Sequence, residues 1–167
     1  YAGGFTLGRR SLALGDLDPA VELDGVDGRV AIADVFDHIN ATSFAVHAII
    51  KADAIGSIRR IVDKAAANDG WRLIVAADGR VEVSRITGGT LDSAFSATSI
   101  IAGRVYDVLA TYDGALLRVY LDGVVGTAVA STRLLPGNTA LLSIGRNPIV
   151  GQYFDGPLGS GVLVREV

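Results

Sequence analysis

Hydrolysis of a glycosidic bond with retention needs two carboxylates about 5 Å apart. The glutamates are only Glu22, Glu82 and Glu166, each isolated in the sequence. Glu82 alternates with Val81 and Val83, the pattern of an exposed strand residue. The histidines are His38 and His47, cysteine is absent, and no Gly-x-Ser-x-Gly elbow precedes a helix. Neither a nucleophilic triad nor a zinc centre is therefore expected. His47 stands in an apolar strand with Val46 and Ala48 on the opposite face, and reads as a partly covered outer-face residue. No catalytic residue is assigned, and the chain is not expected to be an enzyme.

Sugar recognition needs different parts: an aromatic platform for the apolar face of the ring, and polar side chains for its hydroxyl groups. The aromatic residues are Trp71, five tyrosines and five phenylalanines. Arg118 and Tyr120 share the solvent-side face of one strand, and Tyr153 lies beside the "NPIVGQ" loop. These three are the candidate carbohydrate-binding residues. A structural reading stands beside this one: Trp71 belongs to the core, Tyr120 covers its sheet, and Tyr153 with Phe154 buries the closing strand. "NAT", Asn40 to Thr42, has the pattern of a glycosylation acceptor, which signifies only in a eukaryotic secretory context.

The elements that must position these side chains are short strands. Asp-Gly occurs seven times, at Asp24, Asp27, Asp69, Asp78, Asp113, Asp122 and Asp155, mostly between apolar runs. Aspartate tolerates the left-handed region and glycine occupies it freely, so this pair is a strong hairpin signal. Leu117, Val119 and Leu121 share one face of a strand that should pair with "RVYDVLATY" about Asp113-Gly114. "VVGTAVA" should extend that pairing into a meander, and "GWRLIVA" with "RVEVSRI" should form a second hairpin about Asp78-Gly79. Ile58, Ile61, Val62, Ala65 and Ala66 recur at helical spacing between Ser57 and Asn68-Asp69-Gly70, so local signals predict a short helix there. Another helical turn is expected at Val35 to Ile39. The remaining pattern predicts an all-β sandwich.

The 167 residues suit one domain. A net charge of −3 offers no basic field for nucleic acid. Apolar runs such as Leu73 to Ala77 fall far short of the roughly 20 residues that cross a bilayer, so no membrane insertion is expected. The chain starts at Tyr1 and has no methionine, which suggests a piece processed or excised from a longer protein.

Five segments in order carry a resemblance to laminin G-like domains of the concanavalin A-like lectin and glucanase superfamily. They are "AVELDGVDGRVAIAD", similar to the family's opening strand pair, "SFAVHAIIKAD", similar to its next core strand, "IVDKAAANDGWRLIVAADGRVEVS", "GRVYDVLATYDGALLRVYLDGVV" and "LLSIGRNPIVGQYFDGPLGSGVLV". The resemblance implies a jelly-roll sandwich of two antiparallel sheets. It also changes the reading of Arg60 to Lys64 to strand, with a helical turn left possible at the alanines. Ile49 and Val105 stand where the family often has tryptophan, and Leu158-Gly159-Ser160-Gly161 replaces its usual acidic ending.

Such domains commonly bind calcium at the sandwich rim, and calcium accepts carboxylate, amide and backbone oxygens. The candidate ligands here are Asp24, Asp27, Asn147 and Asp155, although turn formation already accounts for the three aspartates. No EF-hand spacing is present. The resemblance implies a non-catalytic, lectin-like recognition module for glycans or proteins, on an extracellular, cell-surface or virion assembly. The alternative is a structural adhesion or decoration module of a phage virion or bacterial surface protein, contacting neighbouring structural proteins. A glycoside hydrolase ranks behind both for want of paired carboxylates.

Overall fold

The structure, a computed structural model, describes residues 2–12, 19–37, 43–147, 150–159 and 163–166. His38 and Asn40 to Thr42 lie outside them. Frequent turns divide the described chain into strands β1 (Phe5–Arg9), β2 (Ala20–Asp24), β3 (Val30–Ile32), β4 (Phe44–Ile50), β5 (Arg59–Ala65), β6 (Gly70–Val75), β7 (Arg80–Thr87) and β8 (Thr90–Ser99). They continue as β9 (Tyr106–Tyr112), β10 (Leu116–Leu121), β11 (Val124–Val125), β12 (Val129–Ala130), β13 (Leu142–Ile144), β14 (Asp155–Leu158) and β15 (Leu163–Glu166). No helix occurs among the described residues.

Two antiparallel sheets form the sandwich. One has nine strands, ordered β1-β2-β14-β4-β9-β10-β11, with β12 also along β10 and β15 along β4. The other has six, ordered β3-β13-β5-β6-β7-β8. Alternation sends Val46, Ala48 and Ile50 of β4, Val108 and Ala110 of β9, and Leu117, Val119 and Leu121 of β10 into the core. Facing them are Val62, Trp71, Leu73, Val75, Val81 and Val83 of the second sheet. Phe44 packs between layers, its ring 5.3 Å from Trp71 and 5.7 Å from Tyr112. Trp71 is thus a core residue, and its Nε1 donates to Phe36 O at 2.9 Å.

The two predicted hairpins form: β9 pairs with β10 across Asp113-Gly114, and β6 with β7 across Asp78-Gly79. Several expectations need correction. The local helix signal over residues 57–67 is strand β5, as the family resemblance implied. Its helical spacing arises from a bulge between Arg60 and Val62, which shifts the alternation by one residue and lets both Ile61 and Val62 enter the core. The alanines make no helical turn either, because Ala65 ends β5 and Ala66 N donates to Asp69 O in a bend.

Val35 to Asp37 are irregular, with Phe36 at φ 60° and its carbonyl taken by Trp71; residues 38–39 lie outside the described residues. The supposed opening pair splits between sheets, β2 joining β1 and β14 while β3 joins β13. The third meander strand is interrupted at Gly126, giving β11 and β12. A side chain there would meet Phe95 O at 1.9 Å. Asp155-Gly156 is no turn but the start of β14, paired with Asp24 and Leu23. Glu82 is 7% exposed rather than open to solvent. The hydroxyls of Ser84 and Ser93 donate to its Oε1, and Arg72 Nη2 lies 3.5 Å away.

Candidate functional site

The alternation that buries Leu117, Val119 and Leu121 turns Leu116, Arg118 and Tyr120 to the outer face of the nine-stranded sheet. The β9 and β4 ladders place Leu109 and then His47 beside Tyr120, and Thr111 and then Ala45 beside Arg118. Asp107 pairs with Ile49 in the next row. With strands about 4.8 Å apart, the row Tyr120, Leu109, His47 spans roughly 10 Å. All three side chains are half-buried, so the row is a shallow, accessible platform with an apolar middle.

Polar pairs bound it. His47 Nε2 and Asp107 Oδ1 are 3.1 Å apart. Arg118 Nη1 donates to Asp113 Oδ2 at 2.6 Å, while Asp113 Oδ1 accepts from Ala115 N and Leu116 N. The Arg118 bond, followed by the two backbone donors, draws the Asp113 carboxyl down from 3.8 to about 2, and the same contact raises Arg118. Asp113 therefore serves the hairpin and orients Arg118.

Tyr153 is not part of this platform. It bridges Arg146, just past β13 of the other sheet, whose guanidinium stands 5.6 Å from the Tyr153 ring centroid. Of the three candidate sugar-binding residues, the fold brings two together and places the third elsewhere.

The calcium candidates are likewise divided. Asp24 and Asp155 are register partners, with Asp27 nearby, but Asp24 Oδ1 already accepts from the backbone N–H of Val26, Asp27 and Gly28. Those bonds lower the Asp24 carboxyl. Asp155 Oδ2 lies 3.8 Å from Arg59 Nη1. Asn147 is engaged with Asp63 Oδ2 at 3.0 Å and accepts from Val150 N. Among the described residues no three His, Cys, Asp or Glu side chains group as they would around a metal ion, and the fold holds Asn147 beside Asp63 rather than beside Asp24.

Sequence reasoning missed a polar layer on the outer face of the six-stranded sheet. Register sets Asp63, Arg72, Ser84 and Ser93 in one row, with Arg60, Ile74 and Glu82 in the next. Arg60 Nη1 is 3.1 Å from Asp63 Oδ2, and Arg60 Nε donates to Gln152 Oε1. Burial pushes the Asp63 carboxyl up and the Arg60 guanidinium down, their mutual attraction opposing both shifts. The signal was the charge density of "IRRIVDK" within an apolar run; the partners come from other strands and could not be read locally.

Solved structures share this fold. Domain 4 of AbnA, a GH43 extracellular arabinanase from Geobacillus stearothermophilus in complex with arabinotriose, superposes with a TM-score of 0.72 at 16% identity, covering 97% of this chain and 78% of that one. Domains LG4-5 of the mouse laminin alpha1 chain give 0.67 at 13% identity, covering 89% of this chain and 42% of that one. The SAP-like pentraxin of Limulus polyphemus gives 0.56 at 13%, covering 81% and 74%. The chain thus spans less than half of the laminin fragment. No curated protein matches it in sequence. A laminin G family model matches residues 24–160, and the chain belongs to the concanavalin A-like lectin/glucanases superfamily.

Proposed function

We propose that this chain is a non-catalytic glycan-binding module, one domain of a longer protein displayed on an extracellular, cell-surface or virion assembly. The observation that carries the reading is the half-buried outer-face row of Tyr120, Leu109 and His47, flanked by Arg118 and Asp107. A sugar ring lays its apolar face on Tyr120 and Leu109 and meets hydrogen-bonding groups at the margins. The arabinotriose complex of the arabinanase domain supports a sugar ligand on this fold. Acid catalysis has no support, because Glu82 and Asp63 are buried on the outer face of the other sheet and engaged by Arg72 and Arg60.

A second reading is favoured by the half-buried Leu116, Leu109 and Ile49 on the same face: a flat partly apolar surface also suits a neighbouring structural protein. Titration with neutral oligosaccharides separates the two. Saturable binding lost in Tyr120→Ala supports the glycan module; no binding across a broad panel, with stoichiometric capture by an assembly subunit, supports the structural one.

A further inference from the structure

The edge of the six-stranded sheet holds a second feature, separate from the Tyr120 platform. Register sets Ala31 of β3, Ser143 of β13 and Asp63 of β5 in one outer-face row. Small side chains then leave a depression of about 470 Å³, floored by Ala31, Ala65, Ala66 and Ala140 and walled by the exposed Leu141. Arg29 and Arg146 line the same depression, with no carboxylate among its lining residues. Behind it, Asp63 is occupied by Arg60 and Asn147. Two arginines thus line this pocket in a chain of net charge −3.

Ser143 makes the pocket more than a gap between alanines. It is 4% exposed, lines the depression, and its hydroxyl makes no hydrogen bond to the described residues. A hydroxyl with no partner among the described residues has its donor and lone pairs open to a ligand oxygen. Guanidinium forks match a carboxylate in shape and charge, and an apolar floor takes the dehydrated face of a ring.

We infer that this pocket binds a terminal uronic acid residue. Its carboxylate is held by Arg29 and Arg146, its apolar face lies on the alanines, and a ring hydroxyl meets Ser143. This site does not depend on glycan binding at Tyr120, and either can fail alone.

The test is calorimetric titration of the whole chain with galacturonate oligomers, with neutral galactose oligomers, and with benzoate and inorganic phosphate. Saturable galacturonate binding is expected, weakening as salt is raised. It should fall at least about tenfold in Arg146→Gln and in Ala66→Phe, which fills the floor, and persist in Tyr120→Ala; a tenfold loss is about 1.4 kcal/mol. Ala66→Phe and Arg29→Gln keep the test valid if Arg146→Gln unfolds. Equal affinity for the neutral oligomers, a preference for benzoate or phosphate, no galacturonate binding, or retained binding in folded Ala66→Phe would each overturn the assignment.

Discussion

Lys64 and Asn138 hold each other from both ends: Lys64 Nζ donates to Asn138 Oδ1 at 3.1 Å, and Asn138 Nδ2 donates to Lys64 O at 3.2 Å. Nζ also donates to Asp34 Oδ1 and Asp37 Oδ1, each at 2.8 Å. A fully buried ammonium thereby ties two loops to β5 beside Trp71. Removing one partner of a buried ion pair leaves the other uncompensated. Lys64→Ala should cost about 3 kcal/mol, toward the lower end for such pairs because Asp34 and Asp37 are partly solvated. Urea unfolding measures this; a loss below about 1 kcal/mol, the scale of a surface ion pair, would contradict it.

Glu82 tests the buried polar layer. An exposed strand glutamate would tolerate Glu82→Ala within about 0.5 kcal/mol. Here the change strips Ser84, Ser93 and Arg72 of a shared acceptor, so a loss of about 2 to 3 kcal/mol is expected. Glu82→Gln, which keeps an acceptor oxygen, should lose less. Thermal unfolding of the two variants side by side reads the difference, and equal losses would speak against the network.

Asp113 predicts an acid limb. Its carboxyl is held at about 2 in the folded chain against an ordinary 3.8, so it contributes stability above the ordinary value. That contribution is lost as pH falls through about 2. Asp113→Asn should therefore flatten the stability profile between those limits while keeping the Oδ1 acceptor of the turn. A profile identical to that of the parent chain would refute the assignment.

The neighbouring glycine should be far less tolerant. Gly114 sits at φ 95°, where a branched side chain is strained. Gly114→Val should cost roughly 1 to 2 kcal/mol or more. Chemical denaturation of Gly114→Val against Asp113→Asn at neutral pH checks the ranking.

The sequence was most legible where a strand follows an unbroken period of two. The faces of β10 could be read from Leu117, Val119 and Leu121 alone, and Arg118 and Tyr120 followed as the outer pair. In β5 the bulge at Ile61 imitates a helix, and only resemblance to a family corrected it. The burial of Glu82 depends on Arg72 from β6 and Ser93 from β8, which no single-strand pattern contains. The separation of Tyr153 from Tyr120 comes from a bridge to Arg146, just past β13 of the other sheet, and the sheet that β13 joins is in no local pattern. The Lys64 cluster joins residues up to 101 positions apart, beyond any local signal.

The central claim is that the outer face of the nine-stranded sheet receives a glycan. Amide chemical-shift mapping during titration with neutral arabinan, glucan and galactan oligosaccharides tests it most directly. The account predicts saturable shifts centred on Tyr120, Leu109 and His47 with at least one of these sugars, abolished by Tyr120→Ala and retained in Tyr153→Ala. Shifts confined to another surface, or none with any of the three, would contradict it.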